Sequence, residues 1–342
     1  MQQSHQVWVL GASGYSGAAL CRILARHPSV NIAGAFSSAG SSPVEINKLY
    51  PELSGQLELM VEPWCDSLIA EAASAVDSVF LALPHEASVY LAPLLLQQGC
   101  RVYDLSGAFR LNDVNNYPLY YGFEHTHPEL LAAANYALPE LNQSSAAYDA
   151  PLQSLPGCYP TAATLALAPL LQSGLCDSAQ MPVVTAVSGV SGAGRKASLT
   201  TSFCEVSLQP YAVLTHRHQI ELEQNLNCEL IFVPQLGNFK RGIVATAVVT
   251  LKADPDGRVP DKAVVEALYQ QAYGHQPAIR LRDQPAKIDD VAHTPFCDLY
   301  VQVVGRKVVI IAALDNLLKG AASQAVQVFN LSNGFDSMEA LL

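Results

Sequence analysis

Continuous hydrophobic runs alternate with helical patterns over the first third of the chain. Such runs are typical of parallel strands that are covered by helices on both faces. The order strand, turn, helix, strand therefore predicts a Rossmann-type parallel sheet. The strand runs cover residues 7–10, 30–36, 76–83 and 101–105, and the helical patterns cover 18–25 and 87–98.

Beyond residue 105 the pattern changes. Residues 106–157 are rich in tyrosine, proline and asparagine, which predicts a loop-rich connection. A helix is predicted from about 161 to 172, and another over 317–330. The hydrophobic segments between these helices are joined by long connections, as in a mixed sheet. These segments cover 183–187, 229–233, 243–251, 299–304 and 307–313.

Together the patterns predict an α/β protein with two domains. A Rossmann-type domain covers residues 1–155. An α+β domain with a mixed sheet covers 156–316. The length of 342 residues agrees with two domains of about 150 residues each.

The composition restricts the class of protein. Half of the residues are hydrophobic, 14% are charged, and the net charge is −11. An acidic surface repels phosphate groups, so we expect neither nucleic-acid nor membrane partners. Residues 1–5 lack the basic start and the apolar stretch of a signal peptide, and the eight cysteines include no C-x-x-C pair. We therefore expect a cytoplasmic protein without a disulfide framework or a metal site.

A glycine-rich turn, G-x-x-G-x-x-G, joins the first predicted strand to the first predicted helix. Glycines in this position allow a tight turn and let a pyrophosphate approach the N–H groups at the helix start. The alternative is a turn of the same sequence without a ligand. The predicted cofactor-binding residues of this turn are Gly11, Ala12, Ser13, Gly14, Tyr15, Ser16 and Gly17.

The end of the second predicted strand indicates which dinucleotide binds. NAD enzymes usually place Asp or Glu there to bind the ribose 2′-hydroxyl. This strand instead ends in Ser37 and Ser38, and the next acidic residue is Glu45. Hydroxyl groups can donate to a 2′-phosphate, which a carboxylate would repel. NADP(H) is therefore favoured over NAD(H).

Cys158 and two histidines are the candidates for catalysis. Cys158 immediately precedes a predicted helix, whose positive end favours a thiolate, although a structural thiol is the alternative. His216 and His218 are candidate acid–base partners because histidine titrates near neutral pH. The alternatives for this pair are two solvated histidines or a zinc site, and the sequence contains no zinc-binding H-E-x-x-H motif.

The loop 188–196 follows a predicted strand and contains two adjacent cations, Arg195 and Lys196. Glycines, serines and cations together favour a site for phosphate or carboxylate. The loop matches neither the Walker A pattern nor the G-x-S-x-G nucleophile elbow. The alternative is a solvated loop without a ligand.

These motifs occur in the order and spacing of one enzyme family. The chain resembles the N-acetyl-γ-glutamyl-phosphate reductases of arginine biosynthesis, in the aspartate-semialdehyde dehydrogenase-like superfamily. The motif around Cys158 and the D-N-L-x-K-G-A motif are the most specific. The matching stretches are 11–17, 83–85, 104–110, 138–142, 156–161, 188–196, 216–218 and 315–321.

The resemblance implies reduction of N-acetyl-L-glutamyl 5-phosphate to N-acetyl-L-glutamate 5-semialdehyde by NADPH, with release of inorganic phosphate. It implies a thioacyl intermediate on Cys158, acid–base catalysis by His218, and a homodimer or homotetramer. It also implies that the domain 1–155 binds NADP and is completed by the C-terminal helix within 317–342, and that the domain 156–316 provides catalysis, substrate binding and oligomerisation. The residues that it implies in substrate binding are Arg110, Ser191, Arg195, Lys196 and His216. The residues that it implies on the nicotinamide side of the cofactor are Pro84, Asn316, Lys319 and Gly320.

Two other functions fit parts of the sequence. An aspartate-semialdehyde dehydrogenase would share the fold and the thiol chemistry. A non-catalytic NADP-binding redox sensor would need only the glycine turn and an oxidisable Cys158. The sensor would leave the histidine pair and the cationic loop without a role.

Overall fold

The parallel sheet of the first domain is arranged around the strand that leads into the glycine turn. The computed structural model describes residues 4–142 and 144–342, so residues 1–3 of the segment tested for a signal peptide lie outside the described residues. The chain divides into two units. The first combines Met1–Gly157 with Ala321–Leu342, and the second is Cys158–Gly320.

The described residues of the first unit form one eight-stranded sheet. Its strands are β1 (His5–Leu10), β2 (Val30–Ser37), β3 (Val44–Glu45), β4 (Met60–Pro63), β5 (Ser78–Leu81), β6 (Arg101–Asp104), β7 (Asn135–Tyr136) and β8 (Leu152–Ser154). The strand order is β3-β4-β2-β1-β5-β6-β8-β7, and every pair is parallel except β3 with β4. The prediction of a Rossmann-type parallel sheet is confirmed.

Short helices connect these strands. They are α1 (Tyr15–Leu24), α2 (Ile46–Leu49), α3 (Ile69–Ala75), α4 (His85–Gln97), α5 (Asn116–Tyr120) and α6 (Pro128–Ala133). The stretch 106–157, predicted as a loop-rich connection, also contains the short elements α5, α6, β7 and β8. The strand β8 has the sequence Leu-Gln-Ser, yet all three residues are buried. A three-residue strand with two polar residues gives no hydrophobic run that a sequence pattern could detect.

The second unit contains a mixed sheet of seven strands in its described residues. Its elements are α7 (Cys158–Gln172), β9 (Val183–Gly189), β10 (Gln209–Pro210), α8 (Arg217–Leu226), β11 (Ile231–Gly237), β12 (Ile243–Thr250), α9 (Lys262–Tyr273), β13 (Ile279–Arg282), α10 (Ile288–Val291), β14 (Cys297–Val304) and β15 (Lys307–Leu314). The strand order is β10-β11-β9-β12-β15-β14-β13, with β11–β9 and β13–β14 parallel and the other pairs antiparallel. The predicted mixed sheet is confirmed.

Helix α7 is the central helix of the second unit. It lies against β12 and β15, and α9 lies against α7. The hydroxyl groups of Tyr269 and Tyr273 on α9 donate to the backbone carbonyls of Ala166 and Leu165, at 2.6 and 3.0 Å. Because α7 begins at Cys158 rather than near residue 161, the thiol belongs to its first turn.

The last helix returns to the first unit. It is α11 (Ala322–Ser332), which lies against α1. The prediction that it begins at Leu317 is wrong, because the Asp315 carboxylate accepts the N–H groups of Leu317 and Leu318 and holds a turn before the helix. No helix in residues 4–142 and 144–342 is long and apolar enough to cross a membrane.

Candidate active site

The glycine turn between β1 and α1 is shaped by backbone contacts. Gly11 has φ +88°, and a side-chain carbon there would lie 2.1 Å from the Ala82 carbonyl oxygen. A side-chain carbon at Gly17 would lie 2.1 Å from the Gly11 carbonyl oxygen. These two glycines are therefore required by the packing of the turn itself.

Gly14 differs, since a side-chain carbon there would approach only the Gly11 carbonyl oxygen, at 3.4 Å. It is the residue before α1, in extended conformation, so the first N–H groups of the helix follow it. The space at Gly14 and the unbonded N–H groups at a helix start fit a pyrophosphate. The turn is thus suited to the predicted dinucleotide.

Three serines lie together at the end of β2. The hydroxyl of Ser37 is 2.5 Å from that of Ser41 and donates to the Glu62 carbonyl at 3.2 Å, and Ser37 is buried. Ser41 also donates to the Ser38 carbonyl at 2.8 Å, while Ser38 is exposed. The sequence did not single out Ser41, because it lies beyond the strand end and reaches Ser37 only through the turn.

Arg110 is buried, and its guanidinium contacts backbone carbonyls. Its Nε donates to Leu155 at 2.6 Å, and a terminal nitrogen donates to Leu105 at 2.7 Å. Leu155 lies three residues before Cys158. Within the first unit Arg110 therefore holds the segment that leads to the thiol. The predicted role of Arg110 in substrate binding did not include this contact with Leu155.

Pro84 is the residue before α4, and its neighbour His85 accepts the N–H of Gly107 through Nδ1, at 2.8 Å. Gly107 belongs to the stretch 104–110 that carries Arg110. The two matching stretches at the ends of β5 and β6 are thus joined to each other.

Cys158 is the first residue of α7 and is partly exposed. Among the other cysteines, Cys21, Cys100 and Cys297 are buried. A side-chain carbon at Gly320 would lie only 2.8 Å from Cys158 Cβ, so the backbone of residue 320 rests on the base of this side chain. The helix start favours a thiolate, and the glycine contact fixes where the thiol lies.

His216 is held in one protonation form by helix α8. It is the residue before α8, and its Nδ1 accepts the backbone N–H of His218 at 3.0 Å. Nδ1 therefore carries no proton, and the neutral ring bears its proton on Nε2. Burial, with a smaller contribution from the charge of Arg217, lowers the pKa of His216 to about 4. His216 is thus a hydrogen-bond donor rather than an acid–base group near neutral pH.

His218 lies in the first turn of α8 and is buried. Its Nε2 is 3.9 Å from a carboxylate oxygen of Glu221, a wholly buried residue one turn later. The two imidazole rings are 4.7 Å apart between centroids, and the ring of Tyr159 lies 5.9 Å from each. Because Tyr159 follows Cys158 directly, this packing brings the cysteine and histidine motifs together.

Tyr211 joins the same cluster. Its ring lies 5.4 Å from that of His216, and its hydroxyl shares a hydrogen bond with Tyr159. Tyr159 donates in turn to the Gln235 carbonyl at 2.8 Å. Burial, followed by the neighbouring Tyr211 and then by Cys158, raises the pKa of Tyr159, so its phenol stays neutral beside the thiol.

The loop after β9 is connected to the D-N-L-x-K-G-A motif. Asn316 donates to the hydroxyl of Ser191 at 3.0 Å and accepts the N–H of Gly242 at 2.7 Å. The structure thus brings together Ser191, Asn316 and Gly320 in the unit that contains Cys158, and Lys319 is wholly buried in the same turn. Arg195 and Lys196 lie farther along the loop, on its exposed part.

Comparison with known proteins identifies the family. Residues 6–148 match the family described as "Semialdehyde dehydrogenase, NAD binding domain", and residues 158–316 match "Semialdehyde dehydrogenase, dimerisation domain". The chain is 50% identical over 337 residues to an N-acetyl-gamma-glutamyl-phosphate reductase of Vibrio vulnificus, covering 98% of each protein. It is 48% identical over 338 residues to the reductase of that name from Escherichia coli K12, also covering 98% of each.

The chain belongs to the N-acetyl-gamma-glutamyl-phosphate reductase family. The resemblance inferred from the motifs is therefore confirmed, as is the expectation of an oxidoreductase. The predicted nicotinamide dinucleotide cofactor is confirmed by the NAD-binding match, and the reductase relatives support NADP(H). The match to a dimerisation domain supports an oligomer. The reductase relatives support a small-molecule substrate.

Solved structures of the wider superfamily share the fold of this reductase family member. An aspartate semialdehyde dehydrogenase II from Vibrio cholerae aligns with a TM-score of 0.70 at 18% identity, covering 96% of this chain and 98% of that one. A probable aspartate-semialdehyde dehydrogenase from Pseudomonas aeruginosa aligns with a TM-score of 0.68 at 21% identity, covering 96% and 98%. At these identities the likeness shows the fold alone.

Proposed function

We propose that the protein reduces N-acetyl-L-glutamyl 5-phosphate to N-acetyl-L-glutamate 5-semialdehyde with NADPH and releases phosphate. The observation that carries the proposal is the cluster at the start of α7, where Tyr159, the neighbour of Cys158, packs against His216 and His218 at the start of α8. The full-length identity to reductases of this name supports the choice of substrate.

Cys158 is the proposed nucleophile. Its sulfur forms a bond to the acyl carbon, the carbon–oxygen bond to phosphate breaks, and a thioester remains on the protein. Phosphate leaves with the electron pair of that bond. When bound at the glycine turn, NADPH would supply the hydride that the acyl carbon needs to reach the aldehyde level. The sulfur then leaves the carbon as a thiolate, which the start of α7 stabilises.

His218 is the proposed acid–base group. It accepts the proton of the Cys158 thiol before attack. It donates a proton back to the sulfur after the carbon–sulfur bond breaks. Glu221, one turn later, orients its ring. His216 instead donates from Nε2 to an oxygen of the substrate, since its Nδ1 is engaged by the helix.

The anion-binding and cofactor-binding residues remain proposals. Ser191, Arg195 and Lys196 are proposed to hold the substrate's carboxylate or phosphate, and Arg110 is proposed to act through the segment that it holds. For the cofactor, the N–H groups after Gly14 are proposed to bind the pyrophosphate. The residues proposed for the 2′-phosphate are Ser37, Ser38 and Ser41, and those proposed for the nicotinamide side are Pro84, Asn316, Lys319 and Gly320.

The reverse reaction tests this function, because the semialdehyde is easier to supply than the unstable acyl phosphate. N-acetyl-glutamate semialdehyde, phosphate and NADP⁺ are mixed with the protein, and the absorbance of NADPH is followed. We expect phosphate-dependent NADPH formation, and at least tenfold less activity with NAD⁺ or with aspartate semialdehyde, a roughly 1.4 kcal/mol discrimination. A wild type that binds NADPH but is silent with both aldehydes would favour the redox sensor.

A homodimer is the proposed assembly. The face of the mixed sheet opposite α7 presents half-exposed apolar residues on three adjacent strands, and Val248 in the middle of β12 is 41% exposed. Val248 lies opposite Val183 on one side and Val309 on the other. A second copy of the chain would bury this face, in agreement with the dimerisation-domain match.

Val248→Asp is expected to prevent this association, because a charge on the apolar face would be buried without a partner. We expect sedimentation equilibrium to give the mass of one chain for the variant and of two or more for the wild type. Val264→Asp is the matched control, since Val264 is 47% exposed on α9, the helix that lies against α7 on the other side of the sheet. A variant that associates like the wild type would contradict the use of this face.

A further inference from the structure

Asp315 begins the D-N-L-x-K-G-A motif, and it was not among the predicted site residues. It is wholly buried, and its Oδ2 accepts from Arg241 Nε at 2.5 Å. Because burying a carboxylate without a partner is costly, the contact with the Arg241 guanidinium offsets the burial of the Asp315 side chain.

The Asp315 carboxylate also holds three backbone groups. Oδ1 accepts the N–H of Leu317 at 2.9 Å and that of Leu318 at 3.1 Å, and Oδ2 accepts the N–H of His293 at 2.7 Å. His293 has φ +64°, which is unfavourable for a residue with a side chain. A strained residue of this kind persists only where its surroundings hold it, and here the carboxylate does so.

The turn that Asp315 holds ends against the nucleophile. The N–H of Gly320 donates to the backbone carbonyl of Asp315 at 2.9 Å. The backbone of Gly320 in turn contacts Cys158 Cβ, since a side-chain carbon at residue 320 would lie 2.8 Å from it. A continuous chain of contacts therefore runs from Arg241 through Asp315 and Gly320 to Cys158.

Arg241 is itself fixed by the neighbouring loops. The N–H of Ser191 donates to the Lys240 carbonyl at 3.1 Å, and the N–H of Gly189 donates to the Gly242 carbonyl at 2.9 Å. The side chain of Asn316 joins Gly242 to Ser191. The ion pair thus lies where the loop after β9, the segment before β12 and the turn beside the thiol meet.

We infer that Arg241 and Asp315 form a positioning pair, which places Cys158 for attack by fixing the turn that rests on it. This inference rests on the proposed role of Cys158 as nucleophile. Neither member of the pair is required to touch the substrate. The pair affects the position of the thiol. We therefore expect its loss to lower kcat and the reactivity of the thiol, and to leave KM nearly unchanged.

Arg241→Ala tests the inference through kcat, KM and the alkylation rate of Cys158. We expect kcat to fall by about 100-fold, the loss that a displacement of roughly 1 Å in a reacting group can cause, with KM within about threefold. Alkylation of Cys158 by iodoacetamide, followed by peptide mass spectrometry over a pH series, is expected to slow by at least about fivefold. Arg241→Lys is expected to recover part of both losses, because it retains a cation for Asp315.

A second ion pair in the same unit provides the matched control. Arg280 Nε lies 2.5 Å from Oδ1 of Asp298, which is also wholly buried, and this pair joins β13 to β14. Asp298 also has Arg282 Nε 3.5 Å from its Oδ2. Arg280→Ala is therefore expected to lower the thermal unfolding midpoint no more than Arg241→Ala does, and to leave the alkylation rate of Cys158 within about twofold of wild type.

Equal loss of thiol reactivity in the Arg241→Ala and Arg280→Ala proteins would overturn the inference, because it would show a general loss of stability. Unchanged alkylation in Arg241→Ala would overturn it as well. If Arg241→Ala does not fold, the same comparison is made with Arg241→Lys and Arg280→Lys. Failure of the proposed function is separable, since it would appear as a wild type that is silent in the reverse reaction, whereas the alkylation rate of Cys158 is compared between the Arg241 and Arg280 variants without any substrate.

Discussion

Cys158→Ser is expected to lower kcat of the reverse reaction by at least about 10⁴-fold, to the limit of detection. The serine hydroxyl would occupy the same place at the start of α7 but would not ionise near neutral pH, so no nucleophile would form. The change removes no hydrophobic contact of consequence. The thermal unfolding midpoint and the affinity for NADPH are therefore expected to match those of the wild type.

Cys65→Ser is the control for thiol chemistry in general. Cys65 is exposed, its sulfur lies 3.1 Å from the Ser67 hydroxyl, and that hydrogen bond lowers the pKa of its thiol. It is therefore a second thiol with some thiolate character but without a histidine cluster. We expect full activity from this variant. An active Cys158→Ser protein would show that the thioacyl mechanism is wrong, even though the family is established.

Much of the first domain could be predicted because its strands are buried on both faces. The strand β5 is wholly buried over its four residues, and β1 is buried over its last four, so both give continuous hydrophobic runs. The pattern of hydrophobic residues did not predict the helices α8 and α9. Helix α8 is largely polar and has four buried residues, among them His218, Gln219 and Glu221, whose burial depends on contacts with distant segments.

Cys158 could be predicted because the start of its helix is visible in the sequence, and His216 and His218 because the H-R-H pattern contains two groups suited to acid–base catalysis. Tyr211 could not, since it reaches the site through β10, a two-residue strand in which Pro210 lies opposite Gln235. Gln235 is also the acceptor for Tyr159. This contact joins segments more than 70 residues apart along the chain, and no local pattern records it.

Arg110 shows the opposite difficulty. A cation in a matching motif suggests an anionic ligand, but the guanidinium has five donors and can satisfy several backbone carbonyls instead. Its contacts with Leu105 and Leu155 use this capacity. Arg241 likewise gave no signal in the sequence, because its partner Asp315 lies 74 residues later. The role of these charged residues can therefore be assigned only when the structure shows which groups they contact.

His218→Asn is expected to lower kcat by about 10²–10⁴-fold, the usual contribution of an acid–base group. His216→Asn is expected to cost about tenfold or less, since asparagine can still accept the N–H of the helix start and only one donor to the substrate is lost. Steady-state kinetics of the two variants, measured on the reverse reaction, compare them directly. The opposite ranking would make His216 the acid–base group.

The pH dependence of kcat tests the neutral state of His216 by a second measurement. Burial, with a contribution from Arg217, lowers the pKa of His216 to about 4, so this ring takes up a proton only as the pH falls to that range. Between about pH 5.5 and 8 His216 therefore stays neutral, and a step in kcat within this range cannot arise from it. We expect any such step in the wild type to persist in His216→Asn. A step lost from His216→Asn would mean that the buried ring titrates near neutrality, and that its helix-capping nitrogen does not hold it in the neutral form.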